Sequence, residues 1–354
     1  MIHIDGSHGE GGGQVLRSSL TLSVLTGQPL RIDNIRARRS KPGLRAQHLA
    51  SVQAAAAISQ AEVTGATLGS ATLLFRPGRV QPGPYRFDIG TAGSTSLVLQ
   101  TIFLPLALAA APSTVTISGG THVAWSPSFD YLDRQWLPAL RRMGYDACLT
   151  LERAGFYPKG GGRIRAEIRP AGTLQPVELV DRGALRRVSG ISASANLPEH
   201  IARRQRQQVE RRLGGWVPNL AVKTVTLSSS GPGTAVFLQA ECEQGGGGFT
   251  ALGRRGKPAE RVADEAVDEL ETYLATNAAI DKHLADQLIL PLVFAPGHST
   301  FSTAAVTRHL LTNIEVVQAF LDVEIMVEGE LRYPGFLRIE PKAIKTPANR
   351  HPGS

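Results

Sequence analysis

Ile2-His3-Ile4-Asp5-Gly6-Ser7-His8-Gly9-Glu10-Gly11-Gly12-Gly13-Gln14 opens the chain, and its reading decides the fold. Alternating Ile2 and Ile4 predict a strand, the glycines predict a tight turn, and the spacing from Gln14 to Thr26 predicts a helix. A strand at Leu30–Ile35, a helix at Leu44–Ser59, and strands near Glu62–Thr67 and Ala71–Phe75 complete a β-α-β-α-β-β unit. The same order then recurs. Tyr85–Ile89 leads through a Gly/Ser/Thr turn to a helix at Ser94–Ala110 and a strand at Thr114–Ser118. A helix at Phe129–Met143 and strands at Asp146–Leu151 and Arg163–Ile168 close this second unit, and a third copy runs from about Ala279 to Ile339. Such repetition predicts an α+β fold of two-layer units.

Between the second and third copies the pattern changes. Arg187–Ala195, Val222–Ser229 and Ala235–Glu241 alternate as strands, while Pro198–Leu213 and Pro258–Leu274 read as helices. The expected organisation is a three-repeat core over residues 1–183 and 278–339, with an inserted small α/β domain at 184–277. The polar stretch 340–354, rich in proline and lysine, is expected to be a flexible tail.

At 354 residues, 42% hydrophobic and 19% charged, the chain has the composition of an ordinary globular protein with room for two cores. Lys+Arg 38 against Asp+Glu 30 gives a net charge of +8, which suits a polyanionic partner such as nucleic acid or nucleotide. Cys148 and Cys242 stand far apart and outside any Cys/His cluster, which argues against a structural zinc site or a disulfide framework. The start of the chain lacks a secretory pattern, and the apolar run Ile102–Ala111, interrupted by Pro105, is too short to span a bilayer. An intracellular, cytoplasmic protein without a membrane partner is expected.

The segment Ala305–Ile314 holds His309 beside Arg308. Thr312 and Glu315 have capping-box spacing, so a helix is expected to begin at Thr312 with His309 just upstream, near the positive end of its dipole. A neutral imidazole can attack phosphorus without the base that a serine hydroxyl requires. The glycine loop at Gly6–Gln14 can bring backbone amides to an anion, although it lacks the Gly-Lys-Ser/Thr ending of a P-loop. Glu10 within it would repel a phosphate unless a divalent cation came between them; its other reading is a solvated turn residue. Gly90–Ser96 is the matching loop of the second unit, with Gln100 one turn into the next helix.

Arg31, Arg36, Arg38, Arg39, Lys41 and Arg45 form the densest positive cluster, broken by Pro42-Gly43 and followed by Gln47-His48 on a helix. Arginine forks there suit phosphate oxygens, whereas Arg203, Arg204, Arg206, Arg211 and Arg212 alternate with Glu199 and Glu210 and read as a solvated helix face. Tyr157–Arg163 carries Lys159 and three consecutive glycines in a turn between strands. His283-Leu284-Ala285-Asp286-Gln287 gathers polar side chains at the start of the third copy, where they could recognise a base or ribose or simply orient loops.

Taken together, Asp5–Gly13 with Arg17, Ile35–His48, Gly90–Thr101, Gly119–Thr121, Gly155–Ile164, His283–Pro291 and His309–Ile314 resemble the RNA 3′-terminal phosphate cyclase family. The match is global and in one order, with one departure: Ala154 stands where the family usually has Arg or His before the first glycine. The resemblance implies three repeats like the carboxy-terminal domain of translation initiation factor three, plus an inserted domain. It also implies ATP as substrate, a divalent metal (Mg or Mn), and an RNA with a 3′-phosphate end as partner. His309 would carry AMP covalently, the RNA phosphate would accept it, and the vicinal 2′-oxygen would close a 2′,3′-cyclic phosphate. By the same resemblance Glu10 would hold the metal, and Gln100, His283, Leu284, Ala285, Asp286 and Gln287 would bind ATP. Arg17, Arg36, Arg39 and Gln47 would line the phosphate region. The alternatives are a non-catalytic ribosome-assembly branch of the family, which lacks the histidine, and the enolpyruvyl transferases built from the same repeat.

Overall fold

The computed structural model of the chain describes residues 1–342. The first unit comprises β1 (Ile2–Asp5), α1 (Gly13–Thr26), β2 (Leu30–Asp33), α2 (Ala46–Ser59), β3 (Glu62–Thr64) and β4 (Leu73–Arg76). The second comprises β5 (Pro84–Asp88), α3 (Thr95–Ala107), β6 (Ser113–Gly119), α4 (129–142, with a π turn at Leu132–Trp136), β7 (Asp146–Arg153) and β8 (Gly162–Arg169). Next come β9 (Glu178–Leu179), β10 (Leu185–Ala195), α5 (His200–Leu213), β11 (Ala221–Thr226), β12 (Gly233–Cys242), β13 (Gly246–Leu252) and α6 (Ala259–Leu274). The chain continues with α7 (Lys282–Leu292), β14 (Ser299–Thr303), α8 (Arg308–Phe320), β15 (Val323–Glu328) and β16 (Gly335–Pro341).

The repeats are visible as one permutation used three times. The sheet orders are β1-β2-β4-β3, β5-β6-β8-β7 and β9-β14-β16-β15. In each, the first pair is parallel and the other two pairs are antiparallel. The third unit therefore opens at β9, before the inserted segment, and not near Ala279. Its opening strand is only two residues long, with its partner Thr300–Phe301 far along the chain, so no local pattern announces it. The α+β two-layer class holds throughout: along β8, Ile164, Ala166 and Ile168 face inward while Arg163, Arg165, Glu167 and Arg169 face out.

Strands β11-β10-β12-β13 form a separate four-stranded sheet, with α5 and α6 packed against it over Val188, Val209, Leu238, Phe249, Val267 and Leu270. Strand β13 is absent from the sequence-based reading because Gly246-Gly247-Gly248 looks like a turn. Close packing explains the glycines: a Cβ at Gly247 would meet the Phe249 ring at 2.7 Å, and one at Gly248 would meet Tyr131 at 3.0 Å.

Helix α1 lies at the centre of the core, in contact with α2, α3 and α8. It is buried nearly all round, and two of its small polar residues tie it to its neighbours: Ser18 donates to Asn313 at 2.6 Å and Thr21 to the Thr101 carbonyl at 2.8 Å. These contacts bring the amino-terminal ends of α1 and α8 together. Glu340 and Pro341, expected in the tail, instead pair with Glu324 and Val323 in the last sheet, and the rest of the expected flexible tail, 343–354, lies outside the described residues. Among the described residues no helix is long and apolar enough to cross a membrane.

Candidate active site

Helix α8 begins at Arg308, four residues before the expected start, with the Thr307 hydroxyl accepting from the Leu310 amide at 3.1 Å. Thr312 is buried inside the helix, and its hydroxyl accepts from the Glu10 amide at 3.2 Å. Glu315 pairs with His8 at 2.8 Å, so the Thr312/Glu315 spacing is a coincidence of tertiary contacts and not a capping box. The correction moves His309 into the first turn, where unpaired amides and the dipole favour anions.

From there its ring touches the first repeat. Nδ1 lies 2.5 Å from Gln14 Oε1, and Gln14 Nε2 donates to Asp286 at 3.0 Å. Since the amide nitrogen faces the carboxylate, the carbonyl faces histidine, and a carbonyl only accepts; Nδ1 therefore carries the proton. Burial lowers the His309 pKa below its usual 6.5, with Glu10 opposing and Arg17, His283 and Arg39 reinforcing. The ring is neutral at pH 7, and its lone pair sits on Nε2.

Nε2 lies 3.2 Å from Glu10 Oε2, which also takes the Arg39 guanidinium at 2.9 Å. A lone pair facing a carboxylate is electrostatically unfavourable, so positive charge added at Glu10 would relieve the pair. Among the described residues no three His, Cys, Asp or Glu side chains are grouped to hold a metal, so Glu10 fits a cation only as one ligand beside phosphate oxygens and water.

Arg17 forms the floor, lowered to about 10 by burial against the pull of Glu10 and Asp286, and still charged at pH 7. Burial, helped by Arg17, Arg36 and Arg45, pushes His48 down to about 3, so it stays neutral and its Nδ1 accepts from the Arg45 amide at 3.3 Å. The glycines let these groups crowd the backbone: a Cβ at Gly13 would lie 2.4 Å from His48 Nε2 and 2.7 Å from an Arg17 nitrogen. Gly12, the N-cap of α1, offers no capping side chain, and a Cβ there would lie 2.0 Å from Glu10 Oε1.

The other expected site residues divide. Gln47 Oε1 accepts from the Ser94 amide at 2.8 Å, joining the first repeat to the loop of the second. Gln100 donates to Gln287 at 2.6 Å, across from the His283 turn of α7. Arg36 turns back to donate to the carbonyls of Lys41 and Gly43 at 2.8 and 2.9 Å, holding the arginine loop in shape. Leu284 and Ala285 are core residues, 1% and 0% exposed, and the Leu284 amide is already taken by Asp281 at 2.9 Å. Burial raises Asp286 to about 7, against hydrogen bonding from Gln14 and the charge of Arg17. Ala154 is buried with Phe156, Ala195 and Ala235, leaving no room for a long basic side chain. Gln14 is the site residue that sequence reasoning missed; its partner His309 is 295 residues away, and no local signal marks it.

An imidazole nitrogen set among arginines, glycine loops and two helix amino termini gives an arrangement that favours anions, assembled between α+β repeats. The RNA 3′-terminal phosphate cyclase family model matches residues 8–327, and the chain belongs to that family. It is 49% identical to the RNA 3′-terminal phosphate cyclase of Ralstonia nicotianae, covering 93% of this chain and 94% of that one. The Koribacter versatilis cyclase is 48% identical over 93% and 92%, and that of Pyrobaculum neutrophilum 44% over 92% and 95%.

Proposed function

We propose that the protein converts an RNA 3′-terminal phosphate to a 2′,3′-cyclic phosphodiester at the expense of ATP, through AMP carried on His309. Family membership supports the overall reaction. One observation carries the mechanism: the Asp286–Gln14–His309 chain, at 3.0 and 2.5 Å, fixes a proton on Nδ1 and frees Nε2. Nε2 would bond to the α-phosphorus as the bond to the β-phosphate oxygen breaks and pyrophosphate leaves. The Nδ1 proton stays, so the ring becomes a cation whose charge the Gln14 carbonyl stabilises, and a cationic imidazole is a good leaving group.

An RNA phosphate oxygen would then displace His309 from the AMP, restoring the neutral ring. The 2′-hydroxyl oxygen would attack the RNA phosphorus, its proton lost to solvent, with AMP departing. Arg17 and Arg39 would stabilise the charged oxygens in each step, and Gln47 and Ser94 would fix the loop over the RNA end. Gln100, His283 and Gln287 would face the nucleoside. Glu10 would hold a divalent cation against the triphosphate, which would draw charge from the leaving pyrophosphate. The separate sheet and apolar cluster support reading 184–277 as a separable inserted domain.

Incubation with α-labelled ATP and magnesium or manganese tests the proposal. Label should appear on the protein and vanish in His309→Ala and His309→Asn, both folded by circular dichroism. An unlabelled wild type would point to the non-catalytic branch, and label on another residue would refute the assignment.

A further inference from the structure

Trp125 is 99% exposed and sits at φ 63°, a left-handed conformation that an aromatic residue rarely adopts. The loop around it is nonetheless well held: Ser126 donates to the Val123 carbonyl at 3.1 Å and the Phe129 amide to the Thr121 carbonyl at 3.0 Å. A ring offered to water on a fixed, strained backbone has no role in the core.

The neighbouring loop is similar. Tyr157 is 78% exposed, followed by exposed Lys159, which has no ion-pair partner among the described residues. His122 and Phe156 stack at 5.2 Å and form a bridge, locking the two loops side by side. This face is continuous with the phosphate region. Gln47 meets Ser94, and at the other end of that loop Gly160 packs so closely on Ala92 that a Cβ would lie 2.8 Å from its Cα.

We infer that Trp125, Tyr157 and Lys159 form a platform for single-stranded RNA, stacking on nucleotides upstream of the terminal two, whose 3′-phosphate is held at the arginine loop. Aromatic faces accept any base, and the exposed Lys159, two residues from Tyr157, suits the connecting phosphates, as does the chain's charge of +8. The platform would select for RNA ends that project as single strands, because a paired base has its face covered. The inference rests on the proposed function, and the experiment separates the two.

The experiment uses the full chain with RNA 3′-phosphates of two lengths, a dinucleotide and an oligomer of about ten nucleotides. Trp125→Ala should raise KM for the longer RNA about 5-fold or more, with Trp125→Phe nearly wild type. The dinucleotide KM, the ATP KM and self-adenylylation without RNA should be unchanged. Lys159→Ala should reduce the slope of log affinity against log salt by about 0.7. Binding of the longer RNA, followed by the part of the tryptophan fluorescence quenching that Trp125→Phe removes, tests the platform even if no turnover occurs. Unchanged RNA affinity in both Trp125→Ala and Tyr157→Ala would overturn the inference. So would a raised ATP KM in place of a raised RNA KM, since the ring would then serve the nucleotide.

Discussion

Replacing Gln14 with methionine keeps the length and burial of the side chain but removes the carbonyl that faces His309 Nδ1 and the amide that faces Asp286. The carbonyl's value lies in the transition state, where the ring gains positive charge. A hydrogen bond to a charged group is worth about 1.5–3 kcal/mol, against about 1 kcal/mol for a neutral one. The difference, about 0.5–2 kcal/mol, falls on the barrier, so self-adenylylation should slow by about 2- to 30-fold. ATP affinity should change little, because Gln14 touches the nucleophile and not the nucleotide. Single-turnover labelling with α-labelled ATP, at a pH well above the Asp286 pKa, isolates this step. Gln14→Glu should slow the reaction less, since its carboxylate still accepts from Nδ1. Labelling at the wild-type rate in Gln14→Met would refute the idea that this chain of bonds sets the nucleophile.

Asp286, raised from 3.8 to about 7, binds its proton more tightly in the folded protein. Stability should therefore fall as pH rises from about 4 to 7 and then level off, by up to roughly 4 kcal/mol, and Asp286→Asn should flatten the slope in urea titrations. Arg36→Lys loses the clamp on two loop carbonyls and should lower Tm as well as activity. Arg39→Lys breaks only a partly exposed pair and should lower activity with little change in Tm. An RNA ending in a 2′-deoxy 3′-phosphate should accumulate as the adenylylated species with little AMP released, because no oxygen is placed to close the ring. AMP turnover at the rate of the ribose end would rule out the cyclising step.

Much of this molecule was legible from local pattern, because strand alternation, helix spacing and glycine turns are short-range signals. The first two units were readable nearly element by element for that reason. What escaped depends on distant partners. Thr312 has the sequence spacing of a helix cap, and only its contact with Glu10 shows that it lies inside the helix that Thr307 caps. Strand β9 is defined by its pairing with Thr300 and Phe301, and β13 by rings that fill the space its glycines leave. The site was legible as a set of residue types but not as a geometry: Arg36 and Arg39 look alike in the sequence, yet one holds a loop and the other meets Glu10.

The insertion between β9 and α7 also bears on the order in which the chain acquires its structure. Its two ends meet: the Arg182 amide donates to the Asn277 carbonyl at 3.1 Å, and its guanidinium reaches the carbonyls of Thr276, Leu274 and Gly183. If β9 had to find β14 across an unfolded segment, the closure entropy of a long loop would oppose a parallel pair that contributes only two residues. Once the inserted sheet has formed, the segment acts as a staple, and the effective loop shrinks to residues 180–182 and 277–298, the latter largely helix α7. The geometry thus predicts that the insertion acts as a folding clamp for the third repeat, the repeat that delivers His309, so that the site is completed after the inserted sheet has formed.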